Sequence, residues 1–477
     1  MNVGTPSGAP SPTVLLIASD TIGPNMAGSG IRYWNLARVL GAQQPVTLAT
    51  STDVSLIAPP GVTLQSYAGP DNDAQGRKLS ALIEAHAIIV AQHIPYLYTD
   101  PEILRARFLI IDLYAPWILE KLEHARIDAE VGEPNRADDV AILNRLLSLG
   151  DAFICASERQ RDFWLGALAV AGRLETEQAR HDPELRELID VVPFGLASEP
   201  PLRNGPGPRA QFTTIGGDAK LILWNGGLWN WLDPFTAIRA MALVVAREPR
   251  ARLVFMGVRS PTTEIARMRV VDDARELAAQ LGLLDRVVFF NDWVPYDQRQ
   301  NWLLEADLAL SLHQPTLESR FAFRTRILDN LWCKLPLVAT TGDVLADLIE
   351  REQIGITVTP VDANAVADAI VAGLDSQRQA TFRANLERIA ANHTWEAIAQ
   401  PLLHWCANPL RIDTVRSEDP RDEYVHRLER IYSETAEYAR HLEQVIAQKE
   451  RQIASQALTI HNITAAVTRR LRRAIRR

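Results

Sequence analysis

The chain has 477 residues, 47% of them hydrophobic, which is enough for two or three domains with cores of their own and excludes wholesale disorder. A formal net charge of −8 argues against a general nucleic-acid binder. The charge is uneven, because the last fourteen residues, TAAVTRRLRRAIRR, hold six arginines and no acid, leaving −8 − 6 = −14 on the rest.

The start, MNVGTPSGAPSPT, has neither a basic segment nor an apolar one, so residues 1–12 read as a flexible N-terminus rather than a signal peptide. No window reaches the roughly 18 apolar residues of a membrane span. Cys155, Cys333 and Cys406 sit far apart in apolar segments without metal-ligand spacing, which fits core side chains in a reducing compartment. These features together predict a cytoplasmic protein.

Residues 13–196 alternate short apolar runs with helix-like segments. The runs are TVLLIASD, PVTLAT, VTLQSY, AIIVAQ, FLIIDLY, AFICAS and DVVPFG. They are continuous in Val, Ile and Leu, as suits parallel strands buried on both faces, and the alternation predicts a doubly wound α/β domain. Its first loop, ASDTIGPNMAGSGIRYW, places Gly28, Ser29 and Gly30 at the opening of a helix, where backbone N–H groups approach an anion or simply form a turn. The spacing is not that of a dinucleotide fingerprint. Asp112 ends a strand and reads either as a cleft residue or as a local cap.

Residues 197–220, rich in Pro and Gly, read as a linker or exposed loop. A second α/β series occupies 221–385, with the runs LILWNG, RLVFMG, VVFFND, DLALSLH, LPLVAT and GITVTP. Gly226 and Gly227 follow its first strand. Trp229 and Trp231 come next, either to stack on a ligand or to lid the core. Asp233 and Pro234 then mark a helix start. His313 leaves a strand end, Glu318 follows in an expected loop, and a helix is expected over about Phe323 to Trp332. Arg320, Arg324 and Arg326 exceed the two nearby acids, Glu318 and Asp329. Arg326 and Asp329 either pair at i and i+3, or the arginines meet an external anion. Beyond Tyr424 there is no Pro or Gly, and near-heptad apolar residues predict a long helix or coiled coil over 420–463, ahead of the Arg-rich tail 464–477. That tail suits an anionic membrane surface or a coiled-coil partner.

The tandem domains, the first glycine loop and the block ending LDNLWCKLPLVAT resemble a GT-B glycosyltransferase. More narrowly, they resemble the retaining glycosyltransferase family 4, known as glycosyl transferases group 1. The resemblance covers about Thr13 to Cys406, with VVPFGL, CASERQRDFW and NHTWEAIAQPLL as further landmarks. It implies two Rossmann-like domains facing across a cleft, acceptor-side first and nucleotide-sugar second, with 386–410 crossing back to the first. It implies transfer of a sugar from a nucleotide diphosphate sugar to a glycan or lipid-linked acceptor, without metal or other cofactor, in cell-surface polysaccharide synthesis at the inner membrane face.

Aligned on LPLVAT, the family's ribose-binding glutamate falls on Asp329, and its first glutamate on Phe321, three residues after Glu318. The family's Arg and Lys after the second glycine turn are missing, and Arg324 and Arg326 are the replacements it suggests. His93 matches a position where the family often has a His near the donor sugar. The resemblance therefore implies His93, Glu318 and Arg326 as catalytic residues. Gly28, Ser29, Gly30, Gly226, Gly227, His313, Arg324, Thr325 and Asp329 are the implied donor-binding residues. The departures also admit a non-catalytic scaffold recruiting a partner through its coiled coil, or a sugar-nucleotide epimerase.

Overall fold

The computed structural model describes residues 12–411 except 24–25, 27, 53, 55, 95–100, 128–135 and 259–268, together with Leu442, Val445, Ile446, Gln448 and Lys449, which are helical. The chain divides into two compact units, Met1–Val415 and Arg416–Arg477. The expected Arg-rich tail, and the expected coiled coil apart from those five residues, lie outside the described residues, as does the flexible start up to residue 11.

The first unit contains two sheets, all parallel. The first runs β1 (Val14–Ile17), β2 (Val46–Thr50), β3 (Val62–Ser66), β4 (Ile88–Ala91), β5 (Phe108–Asp112), β6 (Ala152–Cys155) and β7 (Ile189–Val191). Their spatial order is β3-β2-β1-β4-β5-β6-β7. The register is set around β1, with Val14 opposite both Val46 and Ile88. The apolar runs become strands because β1, β4, β5 and β6 are buried along their whole length between helical layers. β3 differs. It is an edge strand whose residues alternate between buried and exposed, so its continuous-run reading gives way to the two-residue period of a half-covered strand.

The second sheet holds β8 (Lys220–Trp224), β9 (Ala251–Phe255), β10 (Val288–Phe290), β11 (Leu308–Ser311), β12 (Leu337–Thr340) and β13 (Gly355–Val358), in the order β10-β9-β8-β11-β12-β13. In each sheet the strand order reverses beside its first strand, between β1 and β4 and between β8 and β11. Such switch points open a crevice at the carboxyl ends of the strands. The two glycine loops leave β1 and β8, so topology puts both at those crevices.

The helices used below are α1 (Gly28–Gly41), α2 (Trp117–Ile127), α3 (Glu158–Val170), α4 (Pro234–Val244), α5 (Leu317–Phe321), α6 (Arg326–Trp332), α7 (Val344–Glu352) and α8 (Trp395–Ile398). The Asp233 carboxylate caps α4 by accepting from Thr236 N at 3.0 Å, with Pro234 in the first turn.

The segment 197–220 is largely exposed and is tied to the second domain at several points. Asn301 Oδ1 accepts from the N–H groups of Asn204 and Gly205 at 2.8 and 3.1 Å. Glu305 meets Arg203 and Arg209, and Trp332 Nε1 donates to Glu199 O. Several of its backbone polar groups, those of Glu199, Asn204, Gly205 and Arg209, find partners on the second domain, which anchors a Pro/Gly-rich stretch at the surface.

The C-terminal part of the unit returns to the first domain. Leu196 N donates to His393 O at 2.7 Å and Trp395 N to Leu196 O at 3.0 Å. A Cβ on Gly195 would stand 2.8 Å from Trp395 backbone, so the glycine of VVPFGL is what lets the two strands of chain meet. Trp395 is buried beside Phe194, 4.7 Å between ring centres, and Arg38 of α1 pairs with Glu396 at 2.8 Å. Among the described residues no helix is long and apolar enough to cross a membrane.

Candidate active site

The second glycine turn is the natural starting point. Gly226 has φ +109°, a conformation that L side chains rarely adopt, so the turn after β8 depends on it. A Cβ there would lie 3.3 Å from the guanidinium carbon of Arg326. Arg326 arrives from the start of α6, whose placement is fixed when Asn225 Nδ2 donates to Arg326 O at 2.7 Å. Its Nη2 donates to Gly227 O at 3.1 Å, and the guanidinium stands 5.9 Å from the Trp224 ring centre.

No carboxylate of the described residues lies within ion-pair distance of Arg326. Asp329, its i+3 neighbour, is instead held by Arg299, Nε to Oδ1 at 2.9 Å. Arg326 Nη1, Trp224 Nε1 and Asn225 Oδ1 are shielded from solvent and have no hydrogen-bond partner. Burial and the neighbouring Arg324 charge pull the Arg326 guanidinium down to about 9, against a smaller upward pull from Glu318. A desolvated cation with spare donors beside a glycine turn is an anion site in waiting.

Arg324 behaves differently. Its Nη2 donates to Glu318 Oε2 and to Ser319 Oγ, both at 3.0 Å. Its Nε lies 3.3 Å from Asp343 Oδ2, and His313 Nε2 approaches the same oxygen at 3.5 Å. Neither nitrogen makes an aligned hydrogen bond at those distances. His313 Nδ1 faces Gln314 O at 3.0 Å, and His313 N donates to Thr340 Oγ1 at 3.1 Å. Asp343 also caps α7, accepting from Ala346 N at 2.7 Å. Burial works to raise its pKa, but the close approach of His313 and the Arg324 charge hold the carboxyl below its ordinary value. Glu318, Arg324, Asp343 and His313 thus form one buried polar chain, with the Arg324 cation between two carboxylates.

Several sequence expectations are corrected here. Glu318 is not in a loop: it lies on the short helix α5, capped by Thr316, and is buried. The helix expected from Phe323 begins only at Arg326, with Thr325 at its cap position and no side-chain cap bond. Arg324 is neutralised internally, and Arg320 is exposed against the Phe321 ring at 5.6 Å. Phe321, at the family's first-glutamate position, packs on Phe163 of the first domain with ring centres 5.0 Å apart. Trp229 and Trp231 stack on each other, 5.5 Å apart and 5° from parallel.

The first domain brings its own glycine loop. Gly30 has no room for a Cβ, which would stand 2.7 Å from Thr21 O, and Gly28 lies against Tyr114 Oη. Ser29 Oγ is 3.0 Å from Ser19 Oγ, which in turn reaches Gln92. Asp112 is structural. It receives Arg32 Nε at 2.7 Å and Nη2 at 3.0 Å, while the same guanidinium donates to Val192 O and Pro193 O of VVPFGL. His93, half-buried past β4, has its pKa lowered by burial and then by Lys121.

Three further residues were not foreseen: Arg299, Asp343 and Glu120. Asp343 carried a signal, the Gly-Asp pair ahead of an apolar helix. Arg299 carried none, because its partner Asp329 is 30 residues away.

Comparison with known proteins fits this geometry. Residues 219–376 match the family model for glycosyl transferases group 1. Over that third of the chain it is similar to the glycosyl transferases group 1 family. The match falls on the second α/β domain, the one that carries the Gly226 turn and Arg326. A D-inositol 3-phosphate glycosyltransferase of Thermobispora bispora is 28% identical over 49% of this chain and 55% of its own length. A second protein of that name, from Catenulispora acidiphila, is 29% identical over 40% and 44%. The chain thus spans about half the length of these relatives. Among solved structures, Anabaena Alr3699/HepE in complex with UDP-glucose aligns with a TM-score of 0.56 at 16% identity, covering 84% of this chain and all of that one. WaaG, a glycosyltransferase involved in lipopolysaccharide biosynthesis, aligns with a TM-score of 0.56 at 14% identity, over 83% and 100%. Two parallel sheets facing across a cleft make this a GT-B fold.

Proposed function

We propose that the protein is a retaining glycosyltransferase that moves a sugar from a nucleotide diphosphate sugar to a hydroxyl of a glycan or lipid-linked glycan. The observation that carries this reading is the Arg326 guanidinium, shielded, without a carboxylate, and aimed at the Gly226–Gly227 turn. A diphosphate placed there receives the spare donors of Arg326 and Trp224 and restores the missing counter-charge. As the sugar–phosphate bond breaks, negative charge grows on the leaving phosphate, and pre-placed cations stabilise it. Arg326 and the turn serve that role without a metal ion. Asp329, steadied by Arg299, is left to accept from a ribose hydroxyl. Glu318 is oriented by Arg324, which places it as a sugar-hydroxyl acceptor. In front-face attack the acceptor oxygen bonds to the anomeric carbon as the phosphate departs, and the acceptor proton passes to the leaving phosphate oxygen.

The name of the first relative and the UDP-glucose held by Alr3699/HepE support a nucleotide-sugar donor. A setting in cell-surface polysaccharide synthesis, at the inner membrane face, belongs to the same proposal, with residues 464–477 as the membrane or partner contact. Incubation of the full chain with UDP-, GDP- and dTDP-sugars and a lipid-linked acceptor extract tests it. Sugar incorporation with release of nucleoside diphosphate is the expected result. Nucleotide-sugar binding without turnover would favour a non-catalytic scaffold.

A further inference from the structure

The two α/β domains touch along two adjacent lines. On the first, α3 holds the second domain. Arg159 Nη1 donates to Gly342 O at 2.8 Å, and its Nη2 pairs with Asp347. Gln160 Nε2 donates to Phe321 O at 2.9 Å while its Oε1 accepts from Ala156 N. Arg159 and Gln160 thus each find partners across this line. The line borders a cavity of about 690 Å³ whose walls include Arg159, Phe163, His313, Ser319, Arg320 and Phe321.

On the second line, α2 packs against α5. Here the first turn of α2 presents Glu120, whose backbone N–H donates to Pro116 O at 3.2 Å and whose carboxyl makes no hydrogen bond or ion pair with any described residue. The charged groups that face it from the other domain are Glu318 of α5 and Arg324 just after it, and on its own domain it faces Tyr114. Lys121, the next residue, turns away to Asp139 at 2.5 Å. So the contact sets a half-buried carboxyl against a carboxylate already committed to Arg324. Burial, then Glu318, push the Glu120 carboxyl up to about 7, with Arg324 pulling the other way.

We propose that closing of the cleft between the two α/β domains takes up a proton on Glu120, so that the domains separate as the pH rises. With the domains apart, Glu120 meets water and titrates in the ordinary carboxylate range. With them together it is ionised only at the cost of burial and of Glu318. Sign follows from linkage: the closed form binds the extra proton between those two values, so closure weakens through that window and levels off above it. The α3 line supplies the opposing, pH-independent attraction.

The test is pulsed electron–electron distance measurement on the full chain, spin-labelled at Val170→Cys and Val361→Cys. Both positions are exposed and belong to different domains, whereas the native cysteines are buried. Between pH 5 and pH 8 the ratio of separated to closed population rises by about tenfold or more. Glu120→Gln holds the closed distance at both pH values. Arg159→Ala, which weakens the paired line, lengthens the distances at both and keeps the pH response. A distribution unchanged by pH in both the parent and the Arg159→Ala protein, or one that shifts as much in Glu120→Gln as in the parent, overturns the proposal.

Discussion

Arg32 and Arg326 both carry a guanidinium to the carboxyl edge of a parallel sheet, one in each domain, and they are in opposite states. Arg32 is fully buried and spends its donors on a bidentate pair with Asp112 and two carbonyls. The Asp112 carboxylate raises its pKa against the effect of burial. Arg326 is half-buried, donates to one carbonyl, and is pulled down to about 9 by burial and by Arg324. The difference teaches how to sort charged residues in such a fold. A cation whose partners are all supplied by the chain is holding the chain together, and one left short beside a glycine turn is holding a place for something else.

Substitutions can break or sharpen that contrast. The largest effect belongs to Arg32→Met, which strands Asp112 and two carbonyls. Chemical denaturation is expected to show a loss of about 3–5 kcal/mol, the range for breaking a buried pair from one side. Gly226→Ala comes next: a side chain at φ +109°, 3.3 Å from the Arg326 guanidinium, costs about 1–3 kcal/mol and displaces the arginine, so stability and nucleotide affinity fall together. Asp343→Asn keeps a cap but removes the charge between Arg324 and His313. Because the Asp343 pKa is depressed in the folded chain, its stabilisation is present above the ordinary carboxylate value and is lost as pH falls through the folded one. The variant therefore shows a flatter acid limb in a stability–pH profile. Arg326→Met has the smallest effect on folding, within about 1 kcal/mol of the parent, since an apolar chain replaces a half-buried cation that has no carboxylate partner. A loss as large as that of Arg32→Met would make the two arginines alike and remove the contrast.

Much of this was legible in the sequence, and the reasons are physical. Among the described residues the Val, Ile and Leu runs become thirteen strands because parallel sheets bury both faces, and the edge strands β3, β7 and β13 are the ones left partly uncovered. Asp233–Pro234 marked a helix start because capping is local chemistry. Two doubly wound domains followed from two such series in tandem, and the GT-B architecture from the resemblance carried by those domains, the first glycine loop and the LDNLWCKLPLVAT block. The wiring of the site was less visible. Helix α5 is five residues long and has no room for a periodic pattern, so Glu318 read as loop. Arg324 looked unpartnered because Glu318 lies six residues before it and Asp343 nineteen after, both outside helical spacing. Asp329 pairs with Arg299 across 30 residues, which no local rule foresees. Glu120 acquires its unusual setting only when the second domain arrives.

The most direct test of the account is calorimetric titration of nucleoside diphosphates into the parent and into Arg326→Ala. UDP, GDP and dTDP are compared first, and the tightest binder is carried forward. The account predicts that the parent binds one of them and that Arg326→Ala weakens it by at least about tenfold, the equivalent of one charge-assisted bond of 1.5–3 kcal/mol, while its melting temperature stays near that of the parent. Equal affinity in the two proteins, or a parent that binds none of the three, would contradict it.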